Sequence, residues 1–425
     1  MQRLAWKCAL FVLLMACGAW AEDAADQAAA IKSLMQRVDA LEKEVRELRQ
    51  QNEQLKIGAV EPQPAVTETT VAQPESSAPA VAGMHDHLNA HQPEAGESYP
   101  NLKLRGFGNV DYVSADSKSQ PSGFVMGQFV MHFSSALSKK TSFFGELSFT
   151  AQQNNYSADV ERAIIRYDMN DYLKVSFGRY HTPVNYWNTA FHHGAWLQTT
   201  ISRPEMVRFG GRFLPIHFVG ALAEGRIPSG GLGLNYNFGV GNGRQTISLL
   251  SRDGDAGDVN SNRAFVASVF ARPAGLYGLQ VGASMYRDKV SVDVANPVQS
   301  HYREWITSGH IVYEKESPEV LLEFANVRHR DLLSNQVWDS QAAYAQFAYR
   351  LPGVAKKFKP YYRYEYIHAP VGEPVLGVPN LKGGQTVGTR YDITDFAAFK
   401  AEYRHWNRTQ NEKFQGFWAQ TAFTF

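Results

Sequence analysis

The chain has 425 residues and a formal net charge of +1, from 42 Lys and Arg against 41 Asp and Glu. That near balance excludes nucleic acid as the main partner, because such binders carry a basic excess. No apolar run reaches the roughly 18 residues of a membrane helix, so helical spanning is excluded. Spanning by strands is not, because barrel strands alternate apolar and polar residues.

The start predicts a secretory signal over residues 1–21. Arg3 and Lys7 are basic, residues 8–15 are apolar, and Ala19 and Ala21 flank Trp20 as a cleavage site. A rival reading makes Leu14, Met15, Ala16 and Cys17 a lipoprotein signal. Cleavage after Ala21 removes Cys8 and Cys17, the two cysteines of the chain, and with them any thiol chemistry. Residues 22–56 predict a coiled coil. Ile31, Val38, Val45 and Asn52 share one heptad position, and Leu34, Leu41, Leu48 and Leu55 the other. Arg37 would face Glu42 of a parallel partner, and Glu44 would face Arg49, so a parallel homo-oligomer is expected.

Residues 57–100 read as a disordered linker, rich in Pro, Ala, Glu, Gln, Ser and Thr. His85, His87 and His91 lie in it and are expected to bind a divalent metal weakly, since nothing rigid supports them. The aromatic content then changes. Trp6, Phe11, Trp20 and Tyr99 are the only aromatic residues of the first hundred, which puts a boundary near residue 100.

From Leu102 onward the period is two. Tyr362, Tyr364 and Tyr366 alternate with Tyr361, Arg363 and Glu365; Phe399, Ala401 and Tyr403 alternate with Lys400, Glu402 and Arg404. One face is apolar and aromatic and the other is charged. Sixteen such segments can be counted, with short turns at 138–140, 169–171, 272–275 and 315–318. Longer connections fall at 181–214, 241–261, 288–301 and 369–383. An even strand number with turns on one side and loops on the other predicts an all-β fold, a 16-stranded antiparallel transmembrane barrel over 101–425. Prolines fall at turns, loops or strand ends, as a ladder requires.

The connection at 181–214 is long enough to imply function. Placed third on the long-loop side, it is expected to fold into the lumen. Tyr180, His181, Tyr186, Trp187, His192, His193, Trp196, Arg203, Arg208 and Arg212 are the candidate constriction residues, since narrow pores select by charge and donor geometry. Arg105, Arg162, Arg166, Arg363, Arg390 and Arg404 are the candidate charges of the pore wall. The competing reading makes the loop residues packing groups and the wall charges transverse ion pairs. His192 and His193 could seed a metal site, but no third ligand is visible in sequence. No nucleophile elbow or phosphate-binding glycine motif occurs, so neither an enzyme nor a cofactor is expected.

The last strand carries Phe417, Ala419, Thr421, Phe423 and Phe425 on one face. It resembles the C-terminal strand of bacterial outer-membrane barrels, where a final Phe addresses the barrel-assembly machinery. Coiled coil, linker, sixteen strands and terminal Phe together resemble the phosphate-selective-porin superfamily of Gram-negative outer-membrane channels. The likeness is nearest to its dicarboxylate-channel type, which has an N-terminal coiled coil. Residues 172–208 carry the most specific part of it. The resemblance implies a homotrimer in outer-membrane lipid, with the coiled coil in the periplasm, passing small anionic solutes such as phosphate or carboxylates. Two other readings stay open: a barrel that anchors a periplasmic scaffold, and a plugged barrel serving as adhesin or enzyme.

Overall fold

A sheet whose side chains alternate apolar and charged must cover its apolar face, with a packed core in a soluble sandwich or with lipid around a closed barrel. The computed structural model describes Lys32, Gln36, Lys43 and Glu47 and residues 99–117, 122–152, 154–209, 213–244, 254–255, 257–258, 260–293, 299–376, 382–407 and 413–425. Two compact units divide the chain at residue 75. In the first, the four described residues are helical, and Lys43 lies 3.9 Å from Glu47 one turn on. The heptad seam from Ile31 to Leu55, the signal at 1–21 and the linker residues His85, His87 and His91 lie outside the described residues.

The second unit is the barrel. Its strands are β1 (Asn101–Ala115), β2 (Gly123–Ala136), β3 (Thr141–Ala151), β4 (Tyr156–Asn170), β5 (Leu173–His181), β6 (His217–Ile227), β7 (Leu234–Gly241) and β8 (Ala264–Ala271). They continue as β9 (Leu279–Asp293), β10 (Gln299–Glu314), β11 (Glu319–Asp331), β12 (Val337–Ala348), β13 (Phe358–His368), β14 (Gly383–Thr394), β15 (Ala397–Asn407) and β16 (Lys413–Thr424). Each pairs antiparallel with its neighbours, and β16 returns to β1 with Thr421 opposite Val110. Closure leaves no unpaired ladder edge among the described strands, which a sheet in hydrocarbon requires. The seam is reinforced at the last residue. Phe425 N donates to Gly106 O at 3.0 Å, and Gly106 N donates to Phe425 O at 2.8 Å. The Phe425 ring lies over Gly106, where a Cβ would come 2.2 Å from it.

The two faces sort as the alternation demands. On β13, Tyr361, Arg363 and Glu365 are buried inside, while Tyr362, Tyr364 and Tyr366 stay 43%, 45% and 46% exposed outside. Two departures from it stand out. The outer face of β10 to β12 carries Arg303, Arg328, Arg330 and Asp339 beside Trp305, with Arg328 Nε 2.8 Å from Asp339 Oδ1. The second departure is a bulge between β3 and β4: Glu146 pairs with Arg162 but Leu147 with Val160, so Glu161 is the extra residue. Glu161 and Arg162 therefore both point inward and both are buried.

The long connection expected at 288–301 is corrected. β9 runs to Asp293 and β10 starts at Gln299. Its polar residues are inner-wall groups of a continuing ladder: Asp288 accepts from Arg244 N at 2.6 Å, and Ser291 Oγ lies 2.9 Å from His301 Nδ1. A lumen-facing polar strand and a polar loop look alike in sequence.

Within the described residues, the main apolar core sits inside the barrel. Tyr186, Trp187, Phe191, Met206 and Val207 from the connection between β5 and β6 pack against Ile306, Leu321 and Tyr344 of the wall.

Candidate functional site in the lumen

The chain leaves β5 at His181 and turns inward instead of forming a hairpin. Thr182 N donates to Ile216 O at 2.9 Å, drawing the two roots of the loop together. The Asn188 amide nitrogen donates across the same neck, to Thr182 O at 2.9 Å and Ile216 O at 3.0 Å. Asn185 takes a left-handed conformation, φ 68°, which Asn tolerates better than most residues. One helical turn, Trp187–Ala190, follows.

The wall then holds the loop by its backbone. Glu323 accepts from Tyr186 N at 2.9 Å and Trp187 N at 2.8 Å. Glu402 accepts from Ile201 N at 2.9 Å, and Glu365 from Glu205 N at 2.6 Å. Cations meet the carbonyls: Arg363 Nη1 donates to Ser202 O at 2.8 Å, Lys400 Nζ to Gln198 O at 2.7 Å, and Arg390 Nη1 to Trp196 O at 2.7 Å. Such charge-assisted bonds are roughly twice as strong as neutral ones. They also satisfy loop peptide groups that have no secondary structure of their own.

Between loop and wall lies a cavity of about 490 Å³, lined by Asn109, Asp111, His192, His193, Arg203, Glu205, Arg208, Arg404 and Gln420 among others. The Arg203 guanidinium stacks on Phe209 at 3.6 Å, and its Nε and Nη1 make no hydrogen bond among the described residues. Burial pulls Arg203 down to about 9, against the pull of Glu161 in the other direction, so it is cationic at neutral pH. Arg208 pairs with Glu205 at 2.6 Å. Burial pushes the Glu205 carboxyl up to about 7; Arg208 opposes this and Glu365 adds to it.

Four imidazoles gather at the loop root. The ring of His181 lies 3.7 Å from that of His192, 5.6 Å from His217 and 6.0 Å from His193. Glu161 Oε2 stands 2.9 Å from His217 Nε2 and 3.4 Å from His193 Nε2. Glu146 Oε2 stands 3.6 Å from His181 Nε2. Burial holds His192 well below the usual histidine range, with His181, His193 and Arg203 acting the same way.

The structure thus divides the sequence candidates. His192, His193, Arg203 and Arg208 line the large cavity. Tyr180, His181 and Tyr186 line a small one of about 70 Å³ on the other side of the loop root. Trp187 is fully buried in the core, 6.0 Å ring to ring from Tyr344, so its role is packing. Trp196 lies under Arg390, 5.6 Å from the guanidinium carbon to the ring. Arg212 lies outside the described residues. Of the wall arginines, Arg404 lines the cavity and pairs with Glu402. Arg363 and Arg390 are committed to the loop backbone, and Arg162 to Glu146. Arg166 bridges Asp168 at 2.8 Å and Glu224 at 3.5 Å. Arg105 is exposed on β1, away from this group. The transverse ion-pair reading therefore describes Arg162 and Arg166. Sequence reading missed His132, Glu161 and His217 as lumen residues. Strict alternation turns Glu161 outward, and nothing local marks the other two.

No protein-family model matches the chain, and neither does any curated protein. Among solved structures the chain is similar to OmpT, an outer membrane protein of Vibrio cholerae, in its trimer form. The TM-score is 0.52 at 14% identity, over 77% of this chain and 100% of that one. OmpT expressed in the outer membrane gives 0.51 at 15% identity, over 77% and 99%. The outer membrane channel DcaP of Acinetobacter baumannii gives 0.48 at 12% identity, over 79% and 99%. At these identities the OmpT likeness is one of fold, the closed outer-membrane barrel, and the DcaP value adds nothing to it.

Proposed function

We propose that the chain is an outer-membrane porin of a Gram-negative bacterium, through which small hydrophilic solutes, preferentially anions such as phosphate or carboxylates, diffuse passively. The observation that carries this reading is Arg203, a cation on the inserted loop with two nitrogens unmatched among the described residues, lining a cavity of about 490 Å³. A fixed charge in a narrow, poorly screened passage outweighs many charges paired along the wall. The neighbouring charges are largely neutralised by partners, Arg208 by Glu205 and Arg404 by Glu402. In this reading the apolar outer face meets lipid, three copies associate, the coiled coil stands in the periplasm, and Phe425 presents the terminal strand to the assembly machinery.

Planar-bilayer recording with reversal potentials in asymmetric KCl tests it. Anion-preferring steps are expected. The dense clamps on the loop favour a second reading, a plugged barrel, which a properly folded protein without conductance would support.

A further inference from the structure

The histidine group at the loop root has no part in the reading above. Two of its members come from strand ends, His181 from β5 and His217 from β6, and two from the loop, His192 and His193. The ligand atoms of His181, His192 and His217 all lie within 4.8 Å of one another, and so do those of Glu161, His192 and His193. All four rings are largely hidden, with side-chain exposures of 1% for His181, 0% for His192, 1% for His193 and 13% for His217.

Buried polar atoms in folded proteins are nearly always hydrogen-bonded, and each one left without a partner costs about 1–3 kcal/mol. Here both nitrogens of His181 and the Nε2 of His192 make no hydrogen bond among the described residues, and the two rings lie 3.7 Å apart.

The outer nitrogens explain which way the lone pairs face. His192 Nδ1 lies 3.1 Å from Asn188 Oδ1. The Asn188 nitrogen is already committed to two backbone carbonyls, so its oxygen is the atom turned to His192 and His192 Nδ1–H must donate. Arg203 Nη2, at 3.4 Å from the same nitrogen, is the more distant neighbour. His193 Nδ1 lies 3.2 Å from Gln128 Oε1 in the same way. A histidine whose Nδ1–H is held by a carbonyl-type oxygen presents the Nε2 lone pair, the arrangement that orients metal-bound imidazoles.

We propose that His181, His192 and His217 bind one divalent transition-metal cation of the Zn²⁺ or Cu²⁺ class at the root of the lumen loop. Three neutral imidazoles suit borderline cations and not Mg²⁺ or Ca²⁺, which take oxygen ligands. Glu161 Oε2, 2.9 Å from His217 Nε2 and 3.9 Å from His192 Nε2, supplies the compensating negative charge. It is itself held by Ser148 Oγ, which donates to Glu161 Oε1 at 2.7 Å. His192 and His193 border the large cavity and His181 the small one, so the lumen gives a cation its way in. The bound metal ties the loop to β5 and β6 and leaves the hydrogen-bonded clamps on the far wall untouched.

The test uses the full chain in detergent with His85, His87 and His91 replaced by alanine, which silences the linker histidines. Titration with Cu²⁺ and, separately, Zn²⁺ should show one saturable site per chain and a higher unfolding temperature. His192→Gln combined with His217→Gln should weaken binding by roughly tenfold or more. Electron paramagnetic resonance of the Cu²⁺-loaded parent should show coupling to several imidazole nitrogens, and this readout decides the matter if the double variant does not fold. Absence of saturable binding, unchanged affinity in the folded double variant, or a spectrum with oxygen ligands alone would overturn the proposal.

Discussion

The far wall, β11 to β15, and the loop root at β4 to β6 hold the same loop by opposite means. On the far wall four buried charges meet backbone groups of opposite polarity: Glu323 and Glu402 meet N–H groups, Arg363 and Lys400 meet carbonyls. At the root, imidazoles crowd together, and both nitrogens of His181 and the Nε2 of His192 make no hydrogen bond among the described residues. The difference separates a closed network, which fixes geometry, from an open one, which has room for a ligand. Buried polar networks stabilise only when every member is satisfied.

The largest effect should come from breaking the closed side. Arg363→Leu removes the donor to Ser202 O, Ser202 Oγ and Thr200 Oγ1, and strips Glu365 of its partner at 2.8 Å. Removing one member of a buried charge network costs about 3–5 kcal/mol. Thermal unfolding should register this, and a loosened loop should raise single-channel conductance.

Next is the charge between the two regions. Arg203→Gln should leave the melting temperature close to wild type, since its Nε and Nη1 make no hydrogen bond among the described residues. Reversal potentials should move towards cations. Arg203→Lys should keep most of the preference for chloride but lose more for a carboxylate, which uses the planar fork.

Glu205 gives a pH dependence of intermediate size. Its folded value of about 7 exceeds the ordinary value of roughly 4.3. The folded chain therefore keeps a proton that the unfolded chain has lost, so this contribution to stability is complete at low pH and is lost as pH rises through about 7. Protonation also removes the negative charge beside Arg208. Anion preference should be greater at about pH 6 than at about pH 8, and Glu205→Gln should flatten the difference.

The smallest effect belongs to a pair outside both networks. Arg328 and Asp339 lie on the outer face, with side chains 57% and 33% exposed. Arg328→Gln should change stability by no more than about 0.2–1 kcal/mol, as exposed pairs do, and should leave conductance unchanged.

What the sequence determined by itself is the barrel. Period-two alternation is local: each strand shows its own lipid face and lumen face, as Tyr362, Tyr364 and Tyr366 do against Arg363 and Glu365, and the count of such strands follows. The insertion point was legible for a similar reason, because a connection as long as 182–216 stands out by length. Which residues would do what inside the lumen was not legible. Arg363 and Lys400 read as wall charges but became anchors for loop carbonyls, since their partners lie far away in sequence. The partners that His192 lacked in sequence are His181 and His217, at the two strand ends that flank the loop, joined only when the loop folds back over them. Glu161 was missed because a single bulged residue reverses the alternation, and a bulge is a property of the pairing of two strands, which neither strand encodes alone.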